Sequence, residues 1–170
     1  MASNNKWARL WQHWCHPRWR VERCLPTAAL QQLSEAIGRS EQQHSGQIRF
    51  VIESRWHSAD ILQGLDTRRR AWQWFGELGV WDTEHNCGVL VYVSFADHRV
   101  EIVADRGIAA QVPATEWQAV CAQITAAFAQ QQYVAGLEQG LAAVTVILSQ
   151  HFPRHLPAEV DELPNDVVLR

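Results

Sequence analysis

Residues 88–95, GVLVYVSF, are apolar at nearly every position, and only Ala96, Asp97 and His98 separate them from a second β-patterned run, RVEIVA, at 99–104. A continuous apolar run of that length suits a strand covered on both faces. Two strands joined so tightly must run antiparallel. The covered strand also needs helical layers above and below it. A third strand is predicted at 48–53, where IRFVIE is rich in β-branched and aromatic residues.

Helical periodicity accounts for most of the rest. Trp7, Leu10, Trp11 and Trp14 stand at i, i+3, i+4 and i+7, with Lys6, Arg9 and His13 off that stripe. Pro17 interrupts this helix, and a second is expected from near Pro26 or Thr27 to about His44. A helix over 68–78 would turn Ala71, Trp72, Phe75 and Leu78 inward. Thr115-Glu116-Trp117-Gln118 has the form of a capping box. The helix after it would bury Trp117, Val120, Cys121, Ile124 and Phe128. A last helix, about Tyr133 to Phe152, carries Val134, Leu137, Leu141, Val144 and Leu148. The order predicts an α/β fold, a three-layer helix-sheet-helix sandwich around a small mixed sheet, in a single domain. Residues 1–25 form a basic, Trp-rich segment and 26–153 the α/β domain. Residues 154–170, with Pro157, Pro164, Glu159, Asp161, Glu162 and Asp166, read as a loose acidic tail.

Charge excludes one class of function. A net charge of -3 argues against broad nucleic-acid binding, which needs a basic face. Positive charge gathers at the N-terminus instead: Lys6, Arg9, Arg18, Arg20 and Arg23 face one acid, Glu22, through Cys24. A basic, Trp-bearing amphipathic helix has two readings. It packs on its own domain or a second copy, or it lies on a membrane surface through Trp7, Trp11 and Trp14. Four cysteines without C-x-x-C spacing, and no secretory signal ahead of them, lead to the expectation of a cytoplasmic protein with reduced thiols, associated at most with the membrane periphery.

Several blocks together carry a resemblance. Asn86-Cys87-Gly88-Val89-Leu90, Asp97-His98-Arg99-Val100-Glu101-Ile102, Ala104-Asp105-Arg106-Gly107-Ile108 and Tyr133-x-x-Gly136-Leu137 stand in the order seen in the TPM domain family. Glu41-x-x-His44-Ser45-Gly46 and Trp81-Asp82-Thr83-Glu84 are similar to its soluble bacterial branch. The resemblance spans about Pro26 to Pro153. It implies the helix-sheet-helix sandwich. It also implies a relation to acid phosphatases, to proteins that bind divalent cations such as calcium, and to membrane-anchored relatives that occur beside LemA-type proteins. A partner of that kind, a membrane-anchored TPM or LemA-type protein, is therefore an expectation. The Gly107 turn, DRGIAAQVP, departs from the family's G-x-G-L-E form.

Candidate chemistry lies at strand ends, where ligands of open α/β sheets bind. Asp82, Glu84 and Asp105 are candidate ligands for Ca²⁺ or Mg²⁺, which take oxygen donors. Arg106 and the backbone at Gly107 are a candidate anion site. Asp97, at the opposite sheet end, reads as an ordinary turn residue. P-loop, dinucleotide, zincin and G-x-S-x-G motifs are all absent from the sequence. The function expected is a non-catalytic interaction module that binds a divalent cation at this site. The alternative is a divalent-metal-assisted phosphomonoesterase.

Overall fold

A computed structural model describes residues 2–154 and 163–170. In chain order the elements are α1 (Ala2–Trp14), α2 (Arg18–Cys24), α3 (Thr27–Glu41), β1 (Gln47–Glu53), α4 (Ser58–Leu62), α5 (Thr67–Glu77), β2 (Gly88–Ser94), β3 (Arg99–Ala104), α6 (Arg106–Ala109), α7 (Ala114–Ala129), α8 (Tyr133–His151) and β4 (Val168–Leu169). The sheet order is β3-β2-β1-β4. β2 pairs antiparallel with β3 across the short turn and parallel with β1, in a register that sets Ile48 beside Val89. A parallel pair needs a crossover connection, and α4 and α5 lie within it.

Every residue of β2 is buried, as its unbroken apolar pattern predicts. Alternation then sorts side chains between two layers. Val89, Val91 and Val93 share one core with Ile48, Phe50, Ile52, Ile102 and the inner faces of α3, α7 and α8. Leu90 and Tyr92 point the other way, into a smaller core with Val51, Val103, Ala71, Trp74 and Phe75. The expected sandwich is therefore present. Gly140 lets α7 and α8 approach closely, since a Cβ there would strike the Ile124 side chain. Gly88 is equally constrained: a Cβ would run into the Val80 carbonyl.

Three details differ from the sequence reading. α5 turns Trp74 inward and leaves Trp72 48% exposed. Either indole fits a helical stripe with Phe75, and Trp74 wins because its Nε1 reaches the buried Glu53 carboxylate at 3.1 Å. The capping box is not used: α7 starts two residues early, with Pro113 as N-cap and no side-chain cap bond. The end of the chain is not a loose tail where it is described. Val168 and Leu169 pair with Val51 and Ile52, and Arg49 donates to the Pro164 carbonyl. This strand covers the flank of β1, whose backbone groups would otherwise lack partners there. Pro157, Glu159, Asp161 and Glu162 lie outside the described residues. Among the described residues, no helix is long and apolar enough to cross a membrane.

Candidate functional site

The N-terminal helix is mounted with its polar side inward. Arg9 makes a two-pronged ion pair with Asp97, Nε to Oδ1 and Nη2 to Oδ2, each at 2.7 Å. Its third prong, Nη1, donates to the Leu65 carbonyl at 2.6 Å. Gln12 donates to the Ala96 carbonyl at 2.5 Å. His13 is fully buried. Its Nδ1 accepts the Trp56 backbone N–H at 2.9 Å, so Nε2 carries the proton and faces Asp97 Oδ1 at 3.1 Å. Ser94 Oγ donates to the other carboxylate oxygen at 2.9 Å. The Arg9 guanidinium also lies over the Trp56 ring, 4.3 Å from its centroid.

Asp97 is thus the anchor of α1 rather than an ordinary turn residue. Burial alone would raise its carboxyl pKa. Hydrogen bonds from Arg9 and His13 outweigh burial and hold it well below the usual carboxylate range. The sign follows from linkage: the pairing is complete above the unfolded value of about 4 and is lost as pH falls through the lower folded value. Asp97→Asn should loosen α1 by about 2 kcal/mol, the scale of a charge-assisted hydrogen bond. Hydrogen exchange of the α1 amides checks this. Faster exchange in α1 with unchanged rates in β2 is the expected outcome.

Mounting α1 this way sends its aromatic stripe outward. Trp7, Trp11 and Trp14 are 62%, 69% and 63% exposed, and Trp19 on α2 is 57% exposed. The stripe is thus not buried on the chain's own domain, although Trp14 Nε1 reaches Ser58 Oγ on α4 at 3.4 Å. The signal was present in the sequence. Arg9 and His13 sit four apart on the face opposite the indoles, a spacing that lets both reach one carboxylate.

The predicted carboxylate cluster is only partly assembled. Asp82 and Glu84 sit exposed in the loop before β2. Asp105 is buried, 5% exposed, and caps α6 by accepting the Arg106 N–H on Oδ1 at 2.7 Å. Arg106 reaches Asn86 Oδ1 at 3.3 Å. The Gly107 N–H donates to the Asn86 carbonyl at 3.1 Å, and a Cβ at Gly107 would strike the carbonyls of His85 and Asn86. The Asp105 turn and the 85–86 loop are thereby locked together. Asp105 Oδ2, buried and without a hydrogen-bond partner, is the atom best suited to a cation. Yet among the described residues no three His, Cys, Asp or Glu side chains gather as metal ligands. Ca²⁺ takes six to eight oxygens and Mg²⁺ near-ideal octahedral geometry. Asp82, Glu84 and Asp105 are not brought together here as one set of carboxylate ligands.

Asp105 and Arg106 instead belong to the wall of a cavity of about 660 Å³ beside β3, the edge strand. α5 contributes Trp72 and Phe75, the following loop Trp81, and the start of α7 Trp117. Trp117 is buried in the core as its helical stripe predicts, whereas Trp72, expected inward, is half exposed at this cavity, whose presence no local sequence pattern signals.

A polar chain runs beneath the other sheet face. Trp56 Nε1 donates to Tyr92 OH at 2.8 Å, and Tyr92 OH donates to Glu53 Oε2 at 2.7 Å. Arg70 clasps the same carboxylate with Nε at 2.9 Å and Nη2 at 2.5 Å. Burial, then the Glu53 charge, pushes the Tyr92 hydroxyl well above its ordinary pKa, so it remains a donor. Trp56 joins this chain to His13 and hence to α1. Each of these residues is accounted for by structure, and none is aligned with the cavity beside β3.

A mixed sheet between helical layers, carrying an added helix pinned to its hairpin turn, defines a small α/β sandwich with an appended N-terminal helix. The model of the TPM domain matches residues 22–147, and the chain belongs to the TPM domain family. α1 lies ahead of the matched region. The BA42 protein from the psychrophilic bacterium Bizionia argentinensis, solved by NMR, is similar at 28% identity with a TM-score of 0.75, over 86% of this chain and 95% of that one. The N-terminal domain of a P. gingivalis protein, also an NMR structure, shares the fold at 18% identity with a TM-score of 0.59, over 78% of this chain and 83% of that one. A comparison with curated proteins finds no match.

Proposed function

We propose that this TPM domain is a non-catalytic interaction module that docks on an anionic membrane surface through the outer face of α1. The observation that carries the reading is the inverted mounting of α1. Its polar residues are spent on Asp97, Leu65 and Ala96, and its indoles stay mostly exposed, with Trp14 Nε1 near Ser58 Oγ at 3.4 Å. Indoles favour the membrane interface, where the ring is apolar and the N–H stays wet. Arg18, Arg20 and Arg23 follow directly and are exposed. An interfacial apolar face joined to cationic charge is the two-part signal for peripheral binding to anionic lipid. A second copy suits this surface less well. A two-fold contact through α1 would bring two N-terminal regions of the same positive charge close together.

The metal-assisted phosphomonoesterase reading has less support. Asp82 and Glu84 stand in solvent, and Asp105 Oδ1 is already used in capping α6.

Sedimentation with vesicles tests the proposal. The protein should pellet with phosphatidylglycerol-containing vesicles and stay in solution with pure phosphatidylcholine. A Trp7→Ser, Trp11→Ser, Trp14→Ser variant should remain folded, since these side chains are exposed, and should lose binding by more than tenfold. Equal pelleting of the variant, or a concentration-dependent dimer without vesicle binding, would overturn the reading.

A further inference from the structure

The cavity beside β3 shares no lining residue with α1, and its charges are arranged differently from those elsewhere in the fold. Arg68 and Arg106 border it, and among the described residues its lining holds a single carboxylate, Asp105. That carboxylate is closed to the cavity. Oδ1 accepts the Arg106 N–H at 2.7 Å, and Oδ2 has almost no accessible surface. Both arginines, by contrast, are exposed. Arg9 and Arg70 each close on a carboxylate. The cavity arginines bond to neutral oxygens instead. Arg68 Nη1 donates to the Ile102 carbonyl at 2.5 Å and approaches Glu101 only to 3.7 Å, beyond a hydrogen bond. Arg106 Nη2 reaches Asn86 Oδ1 at 3.3 Å, a long contact. The charge a ligand meets in this cavity is therefore positive.

The remaining wall is aromatic. Trp72 and Trp81 are 48% and 55% exposed at this site, and Phe75 stands edge-on to Trp72 with ring centroids 5.3 Å apart. The Arg68 guanidinium lies 5.8 Å from the Trp72 ring centroid, so cation and indole form one surface. Open indole faces accept a flat ring. At about 660 Å³ the cavity is the size of a small-molecule site.

We infer that this cavity binds a small aromatic monocarboxylate. The ring lies against Trp72, Phe75 and Trp81. The carboxylate takes the guanidinium fork of Arg106, whose spacing matches two carboxylate oxygens, and Arg68 adds positive charge. One negative charge is favoured over two, because the buried Asp105 carboxylate stands in the same wall. No bond is made or broken.

Four probes separate charge from shape: 2-naphthoate, the neutral 2-naphthamide, the aliphatic anion octanoate, and the dianion 2-naphthyl phosphate. Calorimetry on the full chain should rank 2-naphthoate about tenfold or more tighter than the amide, the scale of a hydrogen bond to a charged group. Octanoate and the phosphate should both bind more weakly than 2-naphthoate. Amide shifts should centre on Gly76, Arg106 and Ala109. Arg106→Gln alters an exposed side chain. It should weaken 2-naphthoate at least fivefold while 2-naphthamide binding stays unchanged, which shows an intact cavity. The inference is overturned if 2-naphthoate does not bind, if the amide, octanoate or the phosphate binds as tightly, or if Arg106→Gln keeps the full preference for 2-naphthoate.

Discussion

Arg70→Ala should destabilise the fold by about 3–5 kcal/mol, the usual cost of stripping one partner from a buried ion pair. Glu53 and Arg70 side chains are only 5% and 16% exposed, and they meet through Arg70 Nη2 at 2.5 Å. The pairing raises the Arg70 pKa, first through the hydrogen bond to Glu53. After the substitution Tyr92 and Trp74 would still donate to the Glu53 carboxylate, but its charge would have no counter-ion. Replacing Glu53 by Gln in the same chain should recover much of the loss, because Gln brings no charge to compensate. Urea unfolding at neutral pH measures both. A lower midpoint with an unchanged slope is expected. A loss below about 1 kcal/mol would place the pair with exposed salt bridges.

Mild acid should weaken the fold through His44. The imidazole is 1% exposed, and its Nε2 lies 3.0 Å from Ser40 Oγ. Burial, with a further push from Arg154, lowers its pKa from 6.5 to about 4. Its folded form therefore stays neutral where the unfolded form takes up a proton. Stability from this group is full above pH 6.5, falls as pH drops from there, and stops falling near pH 4. The whole loss is about 3 kcal/mol, at 1.36 kcal/mol per pKa unit. His44→Gln should be less stable at neutral pH and flatter between those limits, read from the urea midpoint against pH. A wild-type midpoint that is level from pH 7 to 4.5 would contradict this account.

The elements with a strong period were legible. β2 and β3 were visible because nearly every residue of 88–95 is apolar and the turn is short. The α8 stripe also holds, with Leu137, Leu141, Val144 and Leu148 buried. What escaped depended on contacts distant in sequence. The phase of α5 was set by a Trp74–Glu53 hydrogen bond that no local pattern encodes. β4 has two residues, too few to show a strand period. α1 was read correctly as amphipathic but with its inward face open, because indoles are the better core residues on average. Asp97, 84 residues beyond His13, reversed that preference by offering a charged partner to the polar face. Of the predicted site, Arg106 and Gly107 do meet Asn86, and Asp105 bonds to Gly88, while Asp82 and Glu84 are exposed.

In the proposed docking, α1 presents its indoles to lipid while its polar face stays on Asp97. Depth-dependent quenching by brominated anionic lipid tests it most directly, since bromine quenches only indoles that enter the bilayer. Wild-type tryptophan emission should be strongly quenched, and the quenching should be lost in the Trp7→Ser, Trp11→Ser, Trp14→Ser variant. Emission that brominated vesicles leave unchanged in the wild type would contradict it.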